Sequence, residues 1–141
     1  MVLEPDLVTK LRDDEFGEGL SPRSATEFVL LTWRERRIYS VNRTDMSIIE
    51  EFELDRNIKE GWGITADESN VGTNGYYQLY VTDGSDKIYL LDGETLEVTS
   101  SISVYDPATD SYVENLNELE FVKGHIYANV WYKEKIVKID P

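Results

Sequence analysis

Glycines on both sides of one carboxylate mark the segment of this sequence best suited to chemistry. Glu18 lies in Phe16-Gly17-Glu18-Gly19-Leu20, where the glycines let backbone or a substrate approach closely. The chain has three tryptophans, Trp33, Trp62 and Trp131. An indole-lined pocket with few polar groups is typical of small-ligand sites. Such a pocket would desolvate Glu18 and raise its pKa, which suits a proton shuttle near neutral pH.

These residues recur at related positions of an internal repeat. The hairpin segments around Thr32, Thr82 and Val130 align, and each is followed six residues later by an isoleucine. A short segment with glycine or small residues precedes each hairpin, and we align its apolar residue as one buried position: Leu20, Ile64 and Leu119. Two residues before that position the sequence has Glu18, Trp62 and Asn117.

The elements that must position these residues are all strands. Runs rich in Val, Ile, Tyr and Thr predict strands at 27–33, 37–41, 48–53, 78–82, 87–91, 98–104, 125–130 and 135–139. Turn signals such as Asp83-Gly84 separate them. Residues 5–14 could form a turn of helix or a frayed strand, and 71–77 is interpreted as a polar loop insertion.

A strand-only repeat of somewhat over 40 residues is typical of propeller blades, at about four strands per blade. We therefore predict an all-β chain, a single partial β-propeller domain over 1–141, with blade units at about 16–55, 60–105 and 115–141. Three copies cannot close a ring of roughly four to eight blades. We expect the sequence to be incomplete at both ends or to assemble with another chain. A compact β-sandwich is the alternative fold.

In a propeller, the first strand of each blade lies beside the central channel, so equivalent positions would converge near the axis. Glu18, Trp62 and Asn117 would form one ring there. The hairpin alignment gives a second ring of Trp33, Asp83 and Trp131, although Asp83-Gly84 is also hairpin-turn chemistry. The alternative is structural: the tryptophans could simply fill the core between blades.

Composition argues against several classes of partner. The formal net charge is −14, and nucleic acid or an anionic membrane would require a positive face. No cysteine is present, and the single histidine, His125, cannot supply a zinc cluster, so we expect no metal and no cofactor. No apolar run approaches the roughly 20 residues of a membrane span.

The same segments resemble the plant-type glutaminyl-peptide cyclotransferases, a family of five-bladed β-propellers. The resemblance is carried by Phe16-Gly17-Glu18-Gly19-Leu20, Leu31-Thr32-Trp33, Glu60-Gly61-Trp62-Gly63-Ile64-Thr65, Val81-Thr82-Asp83-Gly84-Ser85-Asp86-Lys87-Ile88-Tyr89, Leu116-Asn117-Glu118-Leu119-Glu120 and Tyr127-Ala128-Asn129-Val130-Trp131. It runs from about Phe16 to Pro141.

The resemblance implies an enzyme that converts the N-terminal glutamine of peptides or proteins to pyroglutamate and releases ammonia, without a cofactor. It implies that Glu18 is the essential catalytic residue and that Asn117 is a polar substrate contact. Four aromatic residues are implied as the walls of the substrate pocket: Phe16, Trp33, Trp62 and Trp131. Members of the family are often secreted, but residues 1–12 show no signal peptide, so the compartment stays open.

The chain also departs from the family pattern. An early Phe-Thr-Gln-Gly-Leu segment has no counterpart in residues 1–15, and a late lysine and the closing strands would lie beyond Pro141. The chain therefore resembles about half of the enzyme. Two functions stay open: the cyclotransferase, or a catalytically inactive fragment or peptide-binding module that retains the pocket. A generic interaction propeller is disfavoured because no Gly-His or Trp-Asp blade signature occurs.

Overall fold

A computed structural model describes residues 8–141 and contains, within that range, only strands, turns and irregular segments. The predicted all-β class is confirmed. The strands are β1 (Gly17–Pro22), β2 (Glu27–Thr32), β3 (Arg37–Asn42), β4 (Ile48–Glu53), β5 (Ile64–Val71), β6 (Tyr77–Thr82), β7 (Lys87–Leu91), β8 (Val98–Ser103), β9 (Tyr105–Asp106), β10 (Ser111–Tyr112), β11 (Leu116–Val122), β12 (His125–Val130) and β13 (Ile136–Ile139). Among the described residues, no helix is long and apolar enough to cross a membrane.

The strands form three antiparallel meanders and one small ribbon. The sheets have the orders β1-β2-β3-β4, β5-β6-β7-β8 and β11-β12-β13, and β9 pairs with β10 between the second and third sheets. The three larger sheets lie within the predicted units 16–55, 60–105 and 115–141. The assignment of each sheet to one propeller blade is our interpretation of this topology.

Strand β6 of the second sheet is buried on both faces, and its sequence explains why. In β6, Leu79 and Val81 pack into a core shared with the first sheet, whereas Tyr80 packs into a core shared with the third. Alternate residues of a strand point to opposite faces, so a strand between two sheets needs apolar residues at every position. The outer strands β4 and β8 are mostly exposed, in keeping with their polar sequences.

The first strands of the three sheets, β1, β5 and β11, lie side by side at the inner end of the sheets. Glycine makes this close approach possible. A Cβ atom on Gly63 would stand 2.2 Å from the carbonyl oxygen of Asn117, and one on Gly19 would stand 2.8 Å from Cγ2 of Ile64. Contacts below 3 Å with a neighbouring backbone leave no room for a side chain, so the packing of inner strands requires glycine at position 63.

Two details of the sequence interpretation need correction. The shared buried position is wrong for Leu20, which is 50% exposed, whereas Ile64 and Leu119 are each 1% exposed. Glu18 is an extra residue in β1: Gly17 lies opposite Thr32, and Gly19 lies opposite Leu31. This bulge makes Gly19 and Ser21, not Leu20, the buried positions that follow it.

The segment 71–77 contains the turn of the hairpin between β5 and β6. Val71 ends β5 and lies opposite Tyr77, the first residue of β6. Gly72 donates its backbone N–H to the carbonyl of Tyr76, and Gly75 takes a positive φ of 87° in the turn. Residues 5–7 of the predicted N-terminal turn lie outside the described residues. From 8 to 14 the chain forms neither helix nor strand.

Candidate functional site

Glu18 occupies the bulge in β1, where an extra residue turns its side chain out of the regular alternation. The side chain is half-buried, and burial raises the pKa of Glu18 above its ordinary value of 4.5. No salt bridge involves this carboxylate among the described residues. A carboxylate without a cationic partner in a partly dry setting is suited to accept and return a proton.

Aromatic side chains surround Glu18, and each comes from the end of a strand. Trp33 follows β2 and meets Phe16 edge-on, with ring centroids 6.3 Å apart. Trp62 lies two residues before β5, and Trp131 follows β12. Trp131 packs edge-on against Tyr132 at 5.5 Å. The three tryptophans therefore belong to three different sheets and meet beside the inner strands.

Together these residues enclose a cavity of about 510 Å³. This volume falls in the range of roughly 300–1,000 Å³ that is usual for small-ligand pockets. The cavity brings together Glu18 and the four predicted aromatic residues. Its full lining consists of Phe16, Glu18, Trp33, Arg34, Glu60, Trp62, Trp131 and Tyr132.

Three lining residues were missed from the sequence: Arg34, Glu60 and Tyr132. Arg34 lies with its guanidinium carbon 3.8 Å from the ring centre of Trp33. A signal was present for two of them, because Arg34 and Tyr132 directly follow aligned tryptophans of the repeat. Glu60 stands two residues before Trp62. Its spacing did not distinguish it from the rest of the 28 acidic residues in the chain.

Asn117 is on β11, the inner strand of the third sheet, and is not among the residues that line this cavity. Its backbone carbonyl accepts a hydrogen bond from the Thr82 hydroxyl at 2.7 Å. The same hydroxyl accepts the backbone N–H of Gly63 at 2.9 Å, so it joins two inner-strand segments. Asp83, from the second predicted ring, is also outside the lining. It caps the hairpin turn by accepting the backbone N–H of Ser85 at 3.1 Å, as its turn chemistry predicted.

A second carboxylate with an altered pKa lies next to Asn117. The pKa of Glu118 is raised to about 7, chiefly by burial and in part by the negative charges of Glu120 and Glu18. Backbone N–H groups of Leu119 and Ile64 oppose the shift. Glu118 lines a separate cavity, so the electrostatic influence of Glu18 is its link to the aromatic pocket.

Among residues 8–141, no group of three or more acidic or histidine side chains is arranged to hold a metal ion. The chemistry that the pocket itself offers is proton transfer at Glu18 beside aromatic walls. A ligand that fits must be small at its buried end and must present a proton that a carboxylate can take.

Comparisons with known proteins agree with this description. A family model described as glutamine cyclotransferase matches residues 4–141. The glutaminyl-peptide cyclotransferase of Arabidopsis thaliana is 27% identical over 136 residues, which cover 96% of this chain and 38% of the plant protein. The chain therefore spans well under half the length of that relative.

Solved structures show the same fold. The glutaminyl cyclase of Myxococcus xanthus superposes with a TM-score of 0.76 at 24% identity, over 92% of this chain and 50% of that one. A protein of unknown function from Bacteroides caccae gives a TM-score of 0.54 at 11% identity, over 93% of this chain and 44% of its own. The predicted propeller-type fold is confirmed, with a ring that the described residues do not close. With its family model matched over nearly the whole sequence, this chain belongs to the glutamine cyclotransferase family.

Proposed function

We propose that this chain carries the glutamine pocket of a glutaminyl-peptide cyclotransferase and that Glu18 is its proton shuttle. The reaction would convert the N-terminal glutamine of a peptide or protein to pyroglutamate. One observation supports the proposal above all: Glu18, whose pKa is raised by burial, borders a cavity walled by all three tryptophans. The family membership fits this chemistry.

The reacting atoms belong to one residue of the substrate. The α-amine nitrogen attacks the side-chain amide carbon, a C–N bond forms, and the bond to the amide nitrogen breaks to release ammonia. Because the attack is intramolecular, holding the side chain folded back on the amine supplies a large part of the rate. Glu18 would take the proton that the α-amine loses and return it to the departing nitrogen, so the carboxylate ends the cycle unchanged.

The aromatic residues would confine the glutamine. Trp33 and Trp62 are half-buried, whereas Phe16 and Trp131 are 60% and 47% exposed. The buried pair would exclude water from the reacting atoms, and the exposed pair would meet the peptide where it leaves the pocket. Asn117 would hold the substrate or the developing oxyanion; its place as a substrate contact rests on the family resemblance, because the residue does not line the cavity.

The exposed aromatic residues also support a second candidate function. A pocket with Phe16 and Trp131 largely open to water can bind the end of a peptide without excluding water well enough for catalysis. In that case the chain would act as a binding module for peptides with an N-terminal glutamine. Both functions predict that the substrate binds, but only the cyclotransferase predicts that ammonia is released.

The test measures both quantities on the 141-residue chain. A coupled assay follows ammonia released from a peptide that begins with glutamine, and quenching of tryptophan fluorescence follows binding. The control peptide carries an acetylated glutamine, which has no free amine to attack. We expect Glu18→Gln to lower ammonia release by about 10²-fold or more while binding stays within about threefold.

Each outcome has a distinct meaning. Near-normal ammonia release by Glu18→Gln would show that another group is the base. Binding by the wild-type chain without ammonia release would favour the binding module. A wild-type chain that shows no binding and no ammonia release would refute the glutamine pocket.

A further inference from the structure

One oxygen of Glu60 accepts hydrogen bonds from two tryptophans. The indole N–H of Trp33 donates to Oε2 at 2.8 Å, and the indole N–H of Trp62 donates to the same atom at 3.1 Å. An indole has only this one polar hydrogen, so both aromatic walls direct their single donor at one carboxylate. Trp33 extends from the first sheet and Trp62 leads into the second. Glu60 therefore connects the two walls of the cavity.

The backbone around Glu60 is held by the end of the first sheet. Gly61 donates its N–H to the carbonyl of Trp33 at 3.0 Å. A Cβ atom at position 61 would stand 2.2 Å from the carbonyl oxygen of Thr32, so only glycine permits this approach. This close packing of segment 60–62 against the first sheet places the carboxylate between the two indoles.

Arg34 completes the arrangement from the solvent side. Its guanidinium carbon lies 3.8 Å from the ring centre of Trp33, and its Nε atom lies 3.7 Å from Oε1 of Glu60. One carboxylate oxygen thus faces the cation while the other accepts the two indoles. Both oxygens are occupied, which distinguishes Glu60 from Glu18, for which the described residues provide no such partners.

We propose that Glu60 is a positioning residue that fixes the orientations of Trp33 and Trp62 and thereby sets the width of the glutamine pocket. The inference rests on the proposed function for its effect on substrate. Its effect on the indoles does not depend on that function. Without the carboxylate, each half-buried indole N–H loses its acceptor and each ring is free to take another rotamer, so the pocket no longer fits one compact side chain.

The experiment compares Glu60→Ala with Glu60→Gln in the whole chain. Glutamine keeps an acceptor oxygen at the same distance, whereas alanine removes it. Glu50→Ala is the matched control, because Glu50 is an exposed carboxylate on β4, away from the cavity. Near-ultraviolet circular dichroism and acrylamide quenching report the three tryptophans, which include the two indoles that Glu60 holds, and titration with a glutamine-initiated peptide reports the pocket.

We expect Glu60→Ala to change the tryptophan spectrum, raise quenching and weaken peptide binding about tenfold. Glu60→Gln and Glu50→Ala should stay within about threefold of the wild-type affinity. Where ammonia release is measurable, Glu60→Ala should raise KM more than it lowers kcat, since Glu18 is untouched.

A double-mutant cycle tests directly whether Glu60 acts through one of the indoles. Trp33→Phe keeps the aromatic wall but removes one indole donor. If the shared oxygen orients the rings, Glu60→Ala should change peptide affinity less in the Trp33→Phe background than in the wild type. Additive effects would overturn the inference.

Other outcomes separate this inference from the proposed function. An unchanged tryptophan spectrum in Glu60→Ala would overturn the positioning role, as would a changed spectrum with unchanged peptide affinity. A wild-type chain that binds no glutamine-initiated peptide would refute the proposed function, and the spectrum alone would then decide whether Glu60 orders the indoles.

Discussion

Glu118→Gln should stabilise the chain at neutral and alkaline pH and change its stability little at acid pH. Burial raises the pKa of Glu118 from the ordinary 4.5 to about 7. Neighbouring carboxylates on two inner strands, Glu120 and Glu18, act in the same direction, and Glu68 lines the same cavity. The backbone N–H groups of Leu119 and Ile64 act against the shift. The folded chain therefore favours the protonated carboxyl.

The sign follows from proton binding. Between about pH 4.5 and 7, the folded chain keeps a proton at Glu118 that the unfolded chain has lost. Raising the pH therefore lowers the free energy of unfolding across this window, and the contribution of the protonated side chain is gone above about pH 7. A glutamine side chain is neutral at every pH, so its variant should not show this part of the decline.

The magnitude follows from the two pKa values. At 1.36 kcal/mol per pKa unit, the difference between 4.5 and about 7 corresponds to about 3 kcal/mol. Water reaches the half-buried side chain and screens part of this effect, so we expect about 1–2 kcal/mol. For a chain of this length, that gain raises Tm by about 3–6 °C.

The assay is urea unfolding followed by circular dichroism, at several pH values from about 4 to 8. The quantity of interest is the difference in free energy of unfolding between variant and wild type. It should be near zero at the acid end and grow through the window. Glu97→Gln, which removes an exposed carboxyl between β7 and β8, is the matched control variant. A flat or falling difference for Glu118→Gln would refute the reasoning.

Three further predictions concern the pocket and its scaffold. Because the pKa of Glu18 is raised and the base must be ionised, ammonia release should increase with pH through a midpoint above 4.5; a midpoint at or below 4.5 would contradict this. Gly63→Ala should lower the free energy of unfolding by about 2–3 kcal/mol, because the added Cβ meets a backbone carbonyl at 2.2 Å, whereas Gly72→Ala, with 3.4 Å, should have little effect in the same urea titration. Arg23 is 3% exposed and donates its Nε–H to the carbonyl of Gly93 at 2.6 Å. Arg23→Met should therefore lower the free energy of unfolding by about 2–3 kcal/mol and lower the melting temperature; an unchanged melting curve would refute this prediction.

Strand positions were predictable because the packing leaves its pattern in the sequence. A strand buried on both faces must be apolar throughout, as Leu79, Tyr80 and Val81 are, while the outer strands alternate or turn polar. The turn residues between hairpins also act locally, as Asp83 does. Fold class and most strand boundaries therefore follow from residues that interact with near neighbours.

The bulge at Glu18 and the role of Glu60 could not be predicted, because they depend on contacts between residues that are far apart in the sequence. The bulge at Glu18 shifts the register by one residue and exposes Leu20. The flanking glycines are compatible with a bulge, but they do not fix which residue is the extra one or the register that follows. The role of Glu60 depends on two indoles from separate sheets meeting at one oxygen. Aligning equivalent repeat positions placed Glu18 and the tryptophans near one another, but the same alignment included Asn117 and Asp83, which do not line the cavity.

Three carboxylates near the inner strands illustrate how one side-chain type takes on different properties. Glu60 accepts hydrogen bonds from two indoles and lies near a guanidinium, so both of its oxygens already have partners in the pocket walls. Glu18 is partly buried without a cation, which raises its pKa and leaves its proton available to a ligand. Glu118 is more strongly affected by burial but faces a separate cavity. The pKa alone would favour Glu118 as the proposed proton shuttle, whereas the position of the tryptophans favours Glu18. Comparing Glu18→Gln with Glu118→Gln therefore tests whether access to the aromatic pocket, and not the size of the pKa shift, determines which carboxylate serves the reaction.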